Sequence, residues 1–135
     1  MSTLNDKRKH ITIKEYLDSD YKESVVCATT QNGTLSSAFD IGSKIDDVTL
    51  ATGNRILIKD QTDGTENGIY VVQSSGLLRA SDFNTSQNVH SGAYVHVETG
   101  NAAPGGNANQ NYVLTTDTSP IVIDGTALVF NNVSS

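Results

Sequence analysis

Tryptophan is absent from this chain, Cys27 is its only cysteine, and it holds only two prolines and three phenylalanines. With one cysteine no disulfide can close within the chain. Cys27 lies in an apolar run, where a lone cysteine is ordinarily an inert buried residue. No apolar run approaches the roughly 18 residues that cross a membrane as a helix. The opening stretch Met1–His10 lacks the apolar h-region of a secretory signal. Basic residues are scarce, nine Lys and Arg against fifteen Asp and Glu, for a net charge of −6. The shortage is uneven. Residues 1–22 carry five basic and four acidic side chains, which leaves residues 23–135 with four basic and eleven acidic ones. Such an acidic body has no basic stripe for phosphates, so neither nucleic acid nor membrane is an expected partner.

At 135 residues the chain has the size of one domain able to bury a core of its own. Gly, Asn, Thr, Ser and Asp are abundant, as suits many short strands joined by turns. The clearest unit is Gly53–Val72. Two β-rich runs, Arg55–Lys59 and Ile69–Val72, flank a polar loop with Asp63-Gly64 and Asn67-Gly68, dipeptides that favour the positive φ of tight turns. This predicts a β-hairpin with a loop longer than two residues. Around it the sequence predicts a strand at Ser24–Thr30, a polar connection at Gln31–Lys44 and an extended segment at Ile45–Leu50. A strand at Leu77–Ala80 completes a three-stranded meander, and a polar connection follows at Ser81–Ser91. Gly92–Glu98 reads as a strand with Ala93, Val95 and Val97 on its core face. Thr99–Gln110 is a flexible loop around Pro104-Gly105-Gly106, and Asn111–Thr116 is a strand. Ile121–Ile123 and Ala127–Phe130 are expected to close a last hairpin across Asp124-Gly125. The whole predicts a mainly β, single antiparallel β-sandwich or small barrel of about eight short strands spanning 21–135.

Residues 1–20 read as an N-terminal docking arm. Thr12 with Glu15 forms a possible capping box, and Ile13, Tyr16 and Leu17 share a helical face. One short helix near 13–19 is expected, with an extended arm as the alternative because Ile11 and Ile13 also alternate. Lys7, Arg8, Lys9, Ile11, Ile13, Tyr16 and Leu17 are the arm's candidate partner-binding residues.

Signatures of chemistry are sparse. His10, His90 and His96 match no metal spacing, and no nucleophile elbow, phosphate loop or dinucleotide fingerprint is present. No enzyme activity, cofactor or metal is expected. The best small-ligand candidate is Asp60, Asp63, Glu66 and Asn67. Its oxygens suit Ca²⁺, although a solvated turn is the stronger reading and Asp60 can pair with Lys59 or Arg79.

Gly53-Asn54-Arg55-Ile56-Leu57-Ile58-Lys59-Asp60-Gln61-Thr62, followed by Glu66-Asn67-Gly68-Ile69-Tyr70-Val71-Val72, resembles a small β-module that recurs in bacteriophage tail-fibre and related virion proteins. The likeness runs from about Tyr21 to Phe130. It takes in Lys22-Glu23-Ser24-Val25, Ala28-Thr29-Thr30, Leu35, Ile45–Leu50, Arg79-Ala80-Ser81-Asp82, Gly92–Glu98 with Gly100, and Tyr112–Thr116. The chain departs from the pattern at Leu77 and Tyr112, where the family commonly has Trp, and at Asp47, where Gly is usual. Its loop around Pro104 is also enlarged.

The resemblance implies a virion structural protein: a tail-fibre-like, decoration or minor capsid component, free-standing, made in the host cytoplasm and carried on the particle. Its arm would dock it on other virion proteins, and copies would associate as a homo-oligomer, a trimer by analogy with fibres. The alternative is a receptor- or glycan-binding module for host attachment. Its contact loop would use Asn101, Pro104, Asn107, Asn109 and Tyr112, since binding residues concentrate on loops of rigid scaffolds.

Overall fold

The run Ile56-Leu57-Ile58 is apolar at consecutive positions, which in a strand means that both faces are covered. The structure, a computed structural model, describes residues 20–134. In it this run lies in strand β4 (Arg55–Ile58), with Ile56, Leu57 and Ile58 all fully buried. Leu57 faces one core and Ile56 and Ile58 the other.

The chain enters through β1 (Cys27–Ala28) and forms the small hairpin β2 (Lys44–Ile45) and β3 (Val48–Thr49) before reaching β4. β5 (Gly68–Gln73) and β6 (Gly76–Arg79) complete a four-stranded sheet in the order β1-β4-β5-β6. β7 (Tyr94–Val97), β8 (Gln110–Leu114) and β9 (Phe130–Asn132) make a three-stranded antiparallel sheet. One 3-10 turn, Gly64–Glu66, lies in the hairpin loop between β4 and β5.

The two larger sheets pack face to face as a small sandwich. Between them lie Leu57, Ile69, Phe83, Val89, Val95, Val97, Tyr112 and Leu114. The segment 31–50 covers the opposite face of the four-stranded sheet, where Phe39 and Leu50 close over Cys27, Ile56, Ile58, Tyr70 and Val72. Neither larger sheet closes into a barrel among the described residues.

The expected meander stands: β4 and β5 pair through Ile56 with Tyr70, and β5 and β6 through Val72 with Leu77. So does the core face of β7, where Ala93, Val95 and Val97 are buried. Four expectations are corrected. The stretch at Ser24–Thr30 is not one antiparallel strand but a strap between the sheets. The chain runs parallel to β7 at Tyr21 and again at Val25, then parallel to β4 at Cys27 and Ala28. Ile45–Leu50 is not extended but folds at Asp46 and Asp47, whose φ values of 49° and 71° are those of a two-residue primed turn. The connection Ser81–Ser91 is not merely polar, since it places Phe83 and Val89 in the core. Finally, Ile121–Ile123 forms no strand. The chain turns at Val122–Thr126, and β9 pairs with β8 instead. The arm, with its expected helix and candidate docking residues, lies outside the described residues except at Asp20.

Candidate functional site

The polar side chains of β4 and β6 are joined to the loops beside them. Arg55 forms a two-pronged pair with Asp82, each N–O distance 2.8 Å, while its Nε donates to the Glu23 carbonyl at 2.9 Å. Thus the first residue of β4 is tied to the turn that follows β6. Arg79 donates to the carbonyls of Asn67 and Thr65 and to Asp124, and its guanidinium lies 4.9 Å from the centre of the Tyr70 ring. Gly68 has to be glycine for this. Its φ is +153°, and a Cβ there would stand 2.5 Å from Arg79 Nη1. Burial pushes the Tyr70 phenol above its ordinary pKa, with Arg79 pulling the other way. The Tyr70 hydroxyl donates to the Glu66 carbonyl at 2.6 Å.

An Arg79→Lys variant keeps the charge and loses the planar fork. It should cost about 1–3 kcal/mol of stability, read as a lower urea midpoint with an unchanged slope. A wild-type midpoint would show that the fork contributes nothing.

The acidic loop serves the same framework. Asp60 accepts from Thr29 Oγ1 at 2.7 Å and from Lys59 Nζ at 3.0 Å. Asp63 caps the 3-10 turn, accepting from the Thr65 hydroxyl and amide, and these two bonds hold its carboxyl below the ordinary value. Glu66 accepts from Gln61 Nε2, and Asn67 accepts from the Gln61 amide and donates to the Leu128 carbonyl. The four side chains are thus taken up by Thr29, Lys59, Thr65, Gln61 and Leu128. No group of three or more His, Cys, Asp or Glu is placed to hold a metal among the described residues. Of the two partners expected for Asp60, Lys59 is the one it has; Arg79 pairs with Asp124.

The proposed contact loop is built on Asp46. Its Oδ2 accepts from the amides of Asn107 at 2.8 Å and Asn101 at 3.2 Å, while Asp47 accepts from Asn101 Nδ2 at 2.8 Å. Gly100, at φ +149°, leaves room for that carboxylate, which a Cβ would meet at 2.4 Å. The loop's tip, from Ala102 to Gly105, is exposed, as is Asn109. Asn107 and Tyr112, however, are only 2% and 7% exposed. Asn107 donates to the carbonyls of Ala28 and Thr29 and accepts from the Tyr112 hydroxyl, so both residues brace the layers and offer no contact surface. Lys59 caps the Tyr112 ring, its Nζ 5.0 Å from the ring centre. Beside this loop, Thr29–Gly33, Ala38, Phe39 and Lys44–Asp46 line an open cleft of about 280 Å³.

His90 and His96 are far apart in role. His90 Nδ1 lies 3.8 Å from Asp20, and His96 Nδ1 lies 2.6 Å from Asn111 Oδ1. Cys27 is fully buried, and burial, with a smaller push from the Asp46 carboxylate, raises its thiol to about 12. The folded protein should therefore resist alkylation at mildly alkaline pH and react only on unfolding. Prompt labelling of the native protein, followed by mass, would contradict this.

Sequence reasoning named Asn107 and Tyr112 as contact-loop residues, whereas the fold buries both. The exposed tyrosine it did not single out is Tyr21, which is 58% exposed and stacks on Tyr94 with ring centres 5.3 Å apart. Comparison of the chain with protein-family models, curated proteins and solved structures gives no match.

Proposed function

We propose that this chain is a virion structural protein, a tail-fibre-like, decoration or minor capsid component that presents a rigid β scaffold and docks through its N-terminal segment. One observation carries the reading. The residues that resemble the phage fibre module are those that lace the layers together: Arg55 to Asp82, Arg79 to Thr65 and Asn67, and Lys59 with Asp60 to Thr29. What the chain shares with that module is therefore a frame, and a frame whose polar side chains are spent on internal bonds suits a mechanical part. The arm adds Ile11, Ile13, Tyr16 and Leu17, whose burial on a neighbour would offset the entropy lost in ordering it.

The test is particle association. Particles released from cells that express the full chain, banded by density, should carry it, and a version lacking residues 1–20 should remain in the soluble fraction. A full chain that never bands with particles would defeat the proposal.

A second reading, attachment to a receptor or glycan, draws on the loop at 99–110. Asp46 pins its stem while its tip stays exposed, the arrangement of a preorganised contact loop.

A further inference from the structure

Among the described residues, the four-stranded sheet is covered on both faces, but the three-stranded sheet on one only. Because Val95, Val97, Tyr112 and Leu114 point into the core, the alternate positions point outward. These are Tyr94 and His96 on β7, Asn111 and Val113 on β8, and Asn131 on β9. In the register, Tyr94, Val113 and Asn131 form one row across the sheet, and His96 and Asn111 begin the next. Val129 and Val133 continue the outward alternation of β9 and are 52% and 49% exposed. Tyr21 lies on Tyr94 at the other edge.

None of these residues is charged, although residues 23–135 hold eleven carboxylates. Glu98 stands at the rim, taken up by the Ser24 hydroxyl. Of the six large apolar residues left exposed among the described residues, three (Tyr21, Val129 and Val133) belong to this face.

We propose that this face is a homotypic interface, covered by a second copy of the chain. The charge distribution selects the occupant. Two copies of net charge −6 repel, and they approach at least cost across a face whose one carboxylate, Glu98, lies at its end bonded to Ser24. A nucleic acid or a strongly charged protein would need charges that this face does not offer. A self-complementary contact asks instead for groups that pair with their own kind. Tyrosine rings and valines do so by packing. The proposal goes beyond the virion reading and can fail without it, since it is read on the purified chain rather than on particles.

Sedimentation equilibrium of the full chain over a concentration series tests it. The wild type should associate reversibly, and more strongly at high salt, because screening removes repulsion between like-charged copies. Val129→Glu and Val133→Glu should each raise the dissociation constant about tenfold or more while far-UV circular dichroism and melting stay native. Leu78→Glu is the control. Leu78 is 63% exposed on β6 of the other sheet, and its replacement should leave association unchanged. A wild type that stays monomeric at every concentration overturns the proposal, as does association that survives both face variants or falls equally with the control. A monomer retarded on a neutral-polysaccharide gel, and released by Tyr21→Ser, would also overturn it by giving the face to a glycan.

Discussion

Replacing Asn107 with alanine is expected to lower the stability of the folded chain by about 3 kcal/mol, since each buried polar group left unsatisfied costs roughly 1–3 kcal/mol. Asn107 sits in a glycine-rich loop, yet its side chain does the work of a core bridge. Its amide donates to the carbonyls of Ala28 at 3.2 Å and Thr29 at 2.9 Å, and its oxygen accepts from the Tyr112 hydroxyl at 2.6 Å. One side chain thereby ties the strap at β1 to β8, across the seam between the sheets. Alanine would strand two carbonyls and a phenol in a place that water reaches poorly. The Tyr112 hydroxyl would keep only a long contact from Asn132 Nδ2, at 3.4 Å. Asn107→Asp should be comparably damaging, because it keeps the acceptor but turns both donors into a charge facing carbonyl oxygens. Equilibrium urea unfolding checks both variants. A midpoint within error of the wild type would mean that the loop is free to rearrange and that the bridge contributes little. Asn101→Ala is the contrast: it removes two exposed bonds, one to the Asp47 carboxylate and one from the Ala103 amide, and should cost well under half as much.

How far the sequence could be read follows from what its signals encode. β4, β5 and β6 were legible because short apolar runs between Gly-containing turns are a local signal, and their partners are their neighbours in sequence. The core face of β7 was legible from strict alternation. The strap was not, because pairing Cys27 with Ile56 and Val25 with Val97 depends on residues far along the chain, and nothing near position 25 states which sheet it will join. Asp124-Gly125 was a true turn signal with a misleading consequence. The chain does turn there, Asp124 having φ 66°, but Ile121 goes into the core without pairing, and Phe130 finds Leu114 instead. Asp46 was read only as part of an extended segment, yet its carboxylate holds the stem of the 99–110 loop. That role has no signature in sequence, since it needs two backbone amides some 55 and 61 positions away. Asn107 was misplaced for the converse reason: an asparagine among Pro, Gly and Ala looks like surface, and only the fold brings two carbonyls to it.

Phe83→Ala should be the most damaging single substitution, costing about 3–5 kcal/mol, the range for removing a buried aromatic ring. Phe83 is fully buried. Its ring lies 6.0 Å from that of Phe130 and 5.8 Å from Lys22 Nζ, and it backs onto the space beside Gly68. It therefore touches the strap, the start of β5 and the start of β9 together. The upper part of the range is expected because the site cannot collapse to fill the cavity. Phe83 is carried by a stiff turn. Its amide donates to the Ala80 carbonyl at 2.9 Å, and Asn88 holds the next residues by accepting from the amides of Asn84 and Thr85 while donating to the Ser81 carbonyl. On the other side the Arg79 fork and the left-handed Gly68 fix β5 in place. With both walls held, the lost ring leaves a void rather than a repacked core, and the penalty for that void adds to the lost transfer free energy. Phe83→Leu refills most of the volume and should lose markedly less. Urea midpoints for the two variants decide the matter. If alanine and leucine cost the same, or alanine costs less than about 1 kcal/mol, the turn is mobile enough to close the gap, and the 81–91 connection is a loose cover rather than a wall of the core.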